Sequence, residues 1–151
     1  MATPEKILFV CIGNACRSQM AEALARHLAS DVIEASSAGV SPLGHIEPRT
    51  RQVLLERGIA IENQYSKGLH DDSIPRSPAR IINMSGIPGA SLFSGSTFED
   101  WLVEDPFGDD VATYRRICDD IEARVRDLAA RLREQLESSD PKRRARKTEP
   151  A

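Results

Sequence analysis

The feature that most constrains the fold is the apolar run Ile7-Leu8-Phe9-Val10, which passes without a break into Cys11 and a short polar loop. A continuous run rich in Ile, Val and Phe is typical of a strand buried on both faces, as the central strands of parallel sheets are. From Arg17 to Ala29, apolar residues recur at helical spacing in an Ala-rich segment, which predicts a helix. The first unit is therefore a strand over Lys6–Cys11, a loop and a helix.

The rest of the chain also alternates between predicted strands and helices. The candidate strands are Val32–Ala38, Arg80–Met84 and Trp101–Val103, and the candidate helices are Pro48–Arg57 and Val111–Leu136. A long loop punctuated by glycine and proline is expected between the last two strands. This alternation implies an α/β fold, in which helices cover both faces of a parallel sheet and ligands bind beyond the carboxyl ends of the strands.

The length of 151 residues suits a single domain, which we place at residues 1–137. Residues 138–151 are rich in Lys and Arg, and we interpret them as a solvated, disordered tail and expect no nucleic-acid partner. No apolar run approaches the roughly 20 residues of a membrane span, and the N-terminal run is too short for a secretory signal. The three cysteines have no disulfide-framework spacing, so we expect reduced thiols and a cytoplasmic protein.

The loop after the first strand carries the strongest functional signal, and its sequence is Cys11-Ile12-Gly13-Asn14-Ala15-Cys16-Arg17-Ser18. A loop that leads into a helix N-terminus points successive backbone N–H groups into one concavity, where an oxyanion can bind without a metal. Gly13 and Asn14 tolerate the unusual backbone that such a loop needs, and Arg17 offers a planar fork to two oxygens. The same positive field stabilises a thiolate, so Cys11 is the predicted nucleophile. Ser18 is predicted to donate a hydrogen bond to that thiolate, and Asn14 to lock the loop through its side chain.

A second group of candidate residues, Glu104-Asp105-Pro106-Phe107-Gly108, follows the fourth candidate strand. Cleavage of a phosphate monoester needs a proton on the leaving oxygen, and an acid kept protonated by burial or by neighbouring carboxylates can supply it. Asp105 is the best candidate for this acid, and Phe107 for an aromatic wall. An Asp-Pro pair alone is a common turn, so the hypothesis depends on the cysteine loop.

With these motifs, the chain resembles the low-molecular-weight protein tyrosine phosphatase superfamily, which also contains thioredoxin-coupled arsenate reductases. The resemblance runs from about Lys6 to Leu136 and rests on the cysteine loop, Met20-Ala21-Glu22-Ala23, Ser37-Ala38-Gly39 and the Asp105 segment. It implies a four-stranded parallel sheet flanked by helices on both faces. It also implies that Cys11 is the nucleophile, Arg17 the oxyanion clamp and Asp105 the general acid, and that Ser37 supports the loop beside Asn14.

Details of the sequence divide between the two branches of the superfamily. Gly13-Asn14 with Cys16 beside Arg17 resembles the phosphatase loop, whereas Ser18-Gln19-Met20 resembles the reductase, because phosphatases usually have proline where Gln19 stands. The reductase branch carries two further cysteines after the third strand, and this chain has none there. The remaining thiol, Cys118, is interpreted as core filler. Gln64 stands near the position of a histidine that supports the loop in many phosphatases.

The favoured hypothesis is a phosphomonoesterase, without metal or cofactor, that acts on a phosphotyrosine protein or a small aryl phosphate through a phosphocysteine intermediate. Inorganic phosphate and arsenate are expected ligands. The chief alternative is an arsenate reductase that uses an external thiol or a glutaredoxin-like partner, and the third is an inactive anion-binding regulatory module. Cys16 is predicted to trap oxidised Cys11 as a disulfide, the alternative being that it only packs under the loop.

Overall fold

A computed structural model describes residues 3–139 and contains a four-stranded sheet in which every strand is parallel to its neighbours. The strands are β1 (Glu5–Cys11), β2 (Ile33–Gly39), β3 (Arg80–Asn83) and β4 (Phe98–Asp100), in the spatial order β2-β1-β3-β4. The helices are α1 (Arg17–Leu28), α2 (Pro48–Glu56), α3 (Gly89–Leu92) and α4 (Val111–Ser139). The predicted α/β fold with a four-stranded parallel sheet is confirmed.

Strand β1 lies in the middle of the sheet because both of its faces are apolar. Ile7, Phe9 and Cys11 face the main core, which is completed by buried residues of α1, α2 and α4. Leu8 and Val10 face a smaller core, which is completed by residues of the neighbouring strands and of the connecting segments: Ala38, Ile74, Ile81 and Phe93. The long helices therefore lie over one face, and the short α3 and the loop around Ile74 cover the other.

The predicted fourth strand, Trp101–Val103, was placed three residues too late. Strand β4 ends at Asp100, and one further hydrogen bond, from Trp101 N–H to the carbonyl of Asn83 at 2.8 Å, follows before the chain leaves the sheet. Trp101 and Val103 are buried in the main core whereas Leu102 between them is exposed. This alternation has the period of a strand but arises from side-chain burial without strand pairing.

Two other boundaries differ from the sequence expectation. The long loop after β3 contains the single turn α3, whose first residue, Gly89, donates its N–H to the carboxylate of Asp100 at 3.1 Å. Helix α4 continues past Leu136 to Ser139, so the first two residues of the tail predicted at 138–151 are helical, and residues 140–151 lie outside the described residues. Within residues 3–139, no helix is long and apolar enough to cross a bilayer.

Candidate active site

The cysteine loop connects the carboxyl end of β1 to the first residue of α1, which is Arg17. A cavity of about 240 Å³ opens over this loop, and its lining brings together residues from distant parts of the chain: Cys11, Ile12, Gly13, Ala15, Cys16, Arg17, Ser41, Leu43, Asp105 and Phe107. The predicted nucleophile, clamp and acid thus share one cavity. Parallel strands that end at the same edge of the sheet produce this arrangement.

The backbone of the loop is curled so that its N–H groups stay free of internal bonds. Asn14 adopts a left-handed conformation, with φ of 50°, which asparagine tolerates better than most residues. Within residues 3–139, no carbonyl or side chain accepts a hydrogen bond from the N–H groups of residues 13 to 16. Together with the N-terminus of α1, these groups form a cradle suited to an oxyanion.

The guanidinium of Arg17 is fixed by the ends of two other segments. Its Nη1 donates to the carbonyl of Met84 at 2.6 Å and to that of Val103 at 3.2 Å. Its Nη2 lies 3.5 Å from Oδ2 of Asp105. The Nε of Arg17 is buried and has no acceptor within residues 3–139. A charged donor left without a partner in a buried position is costly unless a ligand completes it.

The side chains of Ser18, Asn14 and Ser37 form a hydrogen-bonded chain that ends at Cys11. The Oγ of Ser18 lies 2.9 Å from the Sγ of Cys11. Asn14 Nδ2 donates to Ser18 Oγ at 2.7 Å and to Ser37 Oγ at 3.0 Å. Since Ser18 accepts from Asn14, its own hydroxyl hydrogen is left for the sulfur. The structure therefore brings the three predicted loop-support residues into contact with the loop.

Two glutamines also support the loop, and sequence reasoning missed their connection. Gln19 Nε2 donates to the Oδ1 of Asn14 at 2.9 Å and to the carbonyl of Tyr65 at 3.0 Å. Gln64 Nε2 in turn donates to Gln19 Oε1 at 2.7 Å. Both glutamines stand where phosphatases usually have other residues. These two departures together were the sequence signal that the two side chains contact each other.

The other two cysteines are buried. Cys16 Sγ lies 3.6 Å from the hydroxyl of Tyr114, and burial raises the pKa of Cys16 to about 11. Cys118 is fully buried in the main core, where burial likewise raises its pKa to about 11. Both thiols therefore stay protonated near neutral pH.

Asp105 occupies a more open position than the sequence suggested. Its side chain is 50% exposed, and its nearest charged partner is Arg17 rather than a carboxylate, so the expected burial or carboxylate neighbour is not found. Its Oδ1 accepts the N–H of Phe107 at 3.1 Å, which fixes the turn. The half-exposed side chains of Phe107 and Leu43 form apolar walls at the mouth of the cavity.

The three histidines lie outside this cavity. His27, His45 and His70 are all exposed. Within the described range 3–139, no cluster of His, Cys, Asp and Glu has the geometry of a metal site.

Similarity to known proteins extends along most of the chain. The family model for low molecular weight phosphotyrosine protein phosphatase matches residues 6–86 and 90–138. The arsenate reductase of Staphylococcus aureus (strain Newman) is 30% identical over 132 residues, covering 85% of this chain and 99% of that protein. The glutaredoxin arsenate reductase of Synechocystis sp. is 31% identical over 132 residues, covering 85% and 98%. The structure of YwlE arginine phosphatase from Geobacillus stearothermophilus matches with a TM-score of 0.78 and 31% identity, covering 91% of this chain and 99% of that one.

Proposed function

The chain belongs to the low molecular weight phosphotyrosine protein phosphatase family, and we propose that it is a cysteine-dependent phosphomonoesterase that hydrolyses phosphotyrosine or a similar aryl phosphate. The observation that carries this proposal is the cavity lined by Cys11 and Arg17, where the loop N–H groups of residues 13 to 16 and the Nε of Arg17 have no acceptor among residues 3–139. A tetrahedral oxyanion bound there satisfies these donors and places its central atom in front of the sulfur. The same donors suit inorganic phosphate and arsenate as ligands.

The reaction proceeds in two displacement steps at phosphorus. In the first, the Cys11 thiolate forms an S–P bond while the P–O bond to the leaving phenol breaks, and Asp105 gives its proton to the leaving oxygen. In the second, Asp105 takes a proton from water as the water oxygen attacks phosphorus, and Cys11 departs as a thiolate with release of inorganic phosphate. Asn14, Ser18 and Ser37 orient the loop throughout.

Substrate preference follows from the walls of the cavity. Leu43 and Phe107 both line the cavity and are about half exposed, and apolar side chains of this kind favour a flat aromatic leaving group over a polar one. A dianionic phosphate enters the cradle while the ring contacts these side chains. We place the enzyme in the cytoplasm, where the three unpaired thiols would remain reduced.

Arsenate reduction is the second candidate function, because the curated relatives compared above carry that name. The residues of this chain weigh against an internal relay. Its cysteines are Cys11, Cys16 and Cys118, so none lies between β3 and α4, and Cys118 is buried in the core. Reduction of a Cys11–arsenate adduct would therefore need an external thiol or a glutaredoxin-like partner.

One set of turnover measurements separates these functions. We expect hydrolysis of para-nitrophenyl phosphate without added thiol, and little arsenate reduction with thioredoxin as the sole reductant. Cys11→Ser should abolish turnover but retain vanadate binding, because the backbone cradle and Arg17 do not depend on the thiol. Asp105→Asn should slow phosphoenzyme formation from poor leaving groups by roughly 10²- to 10⁴-fold and from good ones by less.

The contrary outcomes are equally specific. Hydrolysis at the wild-type rate by Cys11→Ser would contradict the nucleophile assignment. Efficient arsenate reduction with glutathione and glutaredoxin, together with negligible aryl phosphatase activity, would establish the second function. Faster hydrolysis of phosphoarginine than of phosphotyrosine would retain the cysteine mechanism but refute the aryl preference. Binding of vanadate without turnover of any of these substrates would identify an anion-binding module.

A further inference from the structure

Two buried charged side chains beside the cysteine loop have no role in the reaction steps above. Glu22 on α1 and Lys67 in the α2–β3 connection have side chains that are only 3% and 6% exposed, and Lys67 Nζ lies 3.8 Å from Glu22 Oε1. The other carboxylate oxygen of Glu22 lies 2.9 Å from Nη2 of Arg26, whose side chain is largely exposed. Charged groups are rarely buried this deeply unless they are paired, because removing them from water is costly.

Glu22 stands at the far end of the hydrogen-bonded chain that reaches Cys11. An ionised carboxylate only accepts hydrogen bonds, so the hydroxyl of Ser37 donates to Glu22 Oε1 at 2.6 Å. Ser37 then accepts from Asn14 at 3.0 Å, and the second hydrogen of Asn14 Nδ2 goes to Ser18. The hydroxyl of Ser18 is thereby directed to the sulfur of Cys11. The Glu22 carboxylate thus directs the Ser37 hydroxyl, and the Asn14 amide, which can only donate through Nδ2, directs the Ser18 hydroxyl to the sulfur.

Lys67 also contacts this hydrogen-bonded chain. Its backbone N–H donates to Asn14 Oδ1 at 2.9 Å, and its ammonium donates to the carbonyl of Tyr65 at 3.1 Å. The charged groups around the ammonium are Glu22 and Arg26 of α1 and Asp71 of its own connection. Burial lowers the pKa of Lys67, and the two carboxylates oppose that shift.

We propose that Lys67 and Glu22 are positioning residues, whose ion pair holds Ser37 and Asn14 in the arrangement that presents the Ser18 hydroxyl to Cys11. This inference rests on the proposed role of Cys11 as the nucleophile. It concerns the reactivity of the thiol rather than the substrate, because neither residue lines the cavity.

The test is the rate at which iodoacetamide alkylates Cys11, measured by peptide mass from about pH 6 to pH 9, where thiolate content governs the rate. We expect Lys67→Met to slow alkylation near neutral pH by about three- to tenfold, because without the pair the chain no longer holds the Ser18 hydroxyl in place to stabilise the thiolate by a hydrogen bond. Lys67→Arg should restore most of the rate. Lys6→Met, which removes an exposed lysine, is the matched control and should alkylate like the wild type.

A second variant keeps the test decisive if Lys67→Met does not fold. Glu22→Gln nearly keeps the side-chain volume but no longer compels Ser37 to donate, so it should also slow alkylation. The double variant should lose no more than the slower single variant, because both changes break one chain.

The outcomes against the inference are distinct from those against the proposed function. Wild-type alkylation that is not selective for Cys11 would overturn both. Selective alkylation with an unchanged rate in Lys67→Met would overturn the inference alone, even if its melting temperature fell, because a purely structural pair would behave so. Losses that multiply in the double variant would also overturn it.

Discussion

Two cysteines border one cavity, but their surroundings differ. Cys11 receives the Ser18 hydroxyl and lies at the base of the oxyanion cradle. Cys16 contacts the hydroxyl of Tyr114, and its pKa, raised by burial to about 11, keeps the thiol protonated. A protonated thiol reacts slowly with peroxide, so Cys16 is not the thiol that peroxide oxidises first.

This difference predicts the response to peroxide. Oxidation of Cys11 to a sulfenic acid, followed by attack of Cys16, forms a disulfide and releases water, and this protects Cys11 from further oxidation. We expect dithiothreitol to restore activity to peroxide-treated wild type and phosphate to slow the inactivation. Cys16→Ser should be far harder to rescue. Cys118→Ser is the matched control, since Cys118 lies in the core.

Peptide mapping of the oxidised protein decides the matter. A Cys11–Cys16 linkage supports the prediction. Reversible loss of activity without that linkage would mean that Cys16 only packs under the loop.

For single residues, the sequence indicated which ones line the cavity but not which ones hold the cysteine loop in place. The cysteine-to-arginine spacing and the Asp-Pro segment were enough to select Cys11, Arg17 and Asp105, because each motif has a local chemical meaning. The contact of Gln64 with Gln19 and that of Lys67 with Glu22 join segments about 45 residues apart. Such contacts depend on how the α2–β3 connection folds over α1, which no local pattern specifies.

Among the elements, the end of β2 can approach the cysteine loop closely because its last residue, Gly39, has no side chain. A Cβ at Gly39 would lie 2.6 Å from the carbonyl oxygen of Ile12 and 2.9 Å from the nitrogen of Asn14. Both are backbone atoms, so they cannot yield as a flexible side chain would. The close approach of β2 is therefore possible only with glycine at this position.

We expect Gly39→Ala to lower kcat of aryl phosphate hydrolysis by at least about tenfold and to destabilise the fold by roughly 1–3 kcal/mol, the usual range for overpacking. The displaced backbone carries the N–H groups that bind the anion, so vanadate affinity should fall as well. Gly68→Ala is the matched control, because Gly68 pairs with Gly39 and its added Cβ would make only ordinary contacts, the closest at 3.4 Å. Equal behaviour of the two variants would refute this account.

Helices and strands were predicted correctly where the pattern of buried residues has the same period as the backbone hydrogen bonding. Strand β1 and helix α4 have apolar patterns that match their backbone periods, and both were found near the predicted boundaries. The predicted fourth strand was misplaced because Trp101 and Val103 are buried although they do not belong to a strand of the sheet. Its actual residues, Phe98–Asp100, are polar at two of three positions, since Glu99 and Asp100 serve ion pairing and the capping of α3.

For the whole molecule, Glu99 joins the sheet edge to the last helix. Its carboxylate lies 2.7 Å from Nη1 of Arg80 on β3 and 3.0 Å from Nη2 of Arg131 on α4. Arg80 also lies 3.1 Å from Glu5 on β1, so one partly buried network spans three strands and α4. Networks of this kind contribute more than isolated surface pairs, because each charge has several fixed partners.

This network makes the stability of the fold depend on pH. The hydrogen bonds from Arg131, followed by those from Arg80 and Trp101, lower the pKa of Glu99 from 4.5 to about 2. Because the pKa is depressed in the folded state, the stabilisation is fully present above about pH 4.5 and is lost as the pH falls towards 2.

Glu99→Gln should therefore lower the free energy of unfolding at neutral pH by about 2 kcal/mol, allowing for partial solvent screening. Asp127→Asn, which removes a largely exposed partner of Arg131, should cost less than about 1 kcal/mol. Urea denaturation at neutral pH and at several points between about pH 5 and pH 3 checks this, because the gap between Glu99→Gln and wild type should narrow across that range. A gap of constant size would show that Glu99 stabilises the fold through packing rather than through its charge.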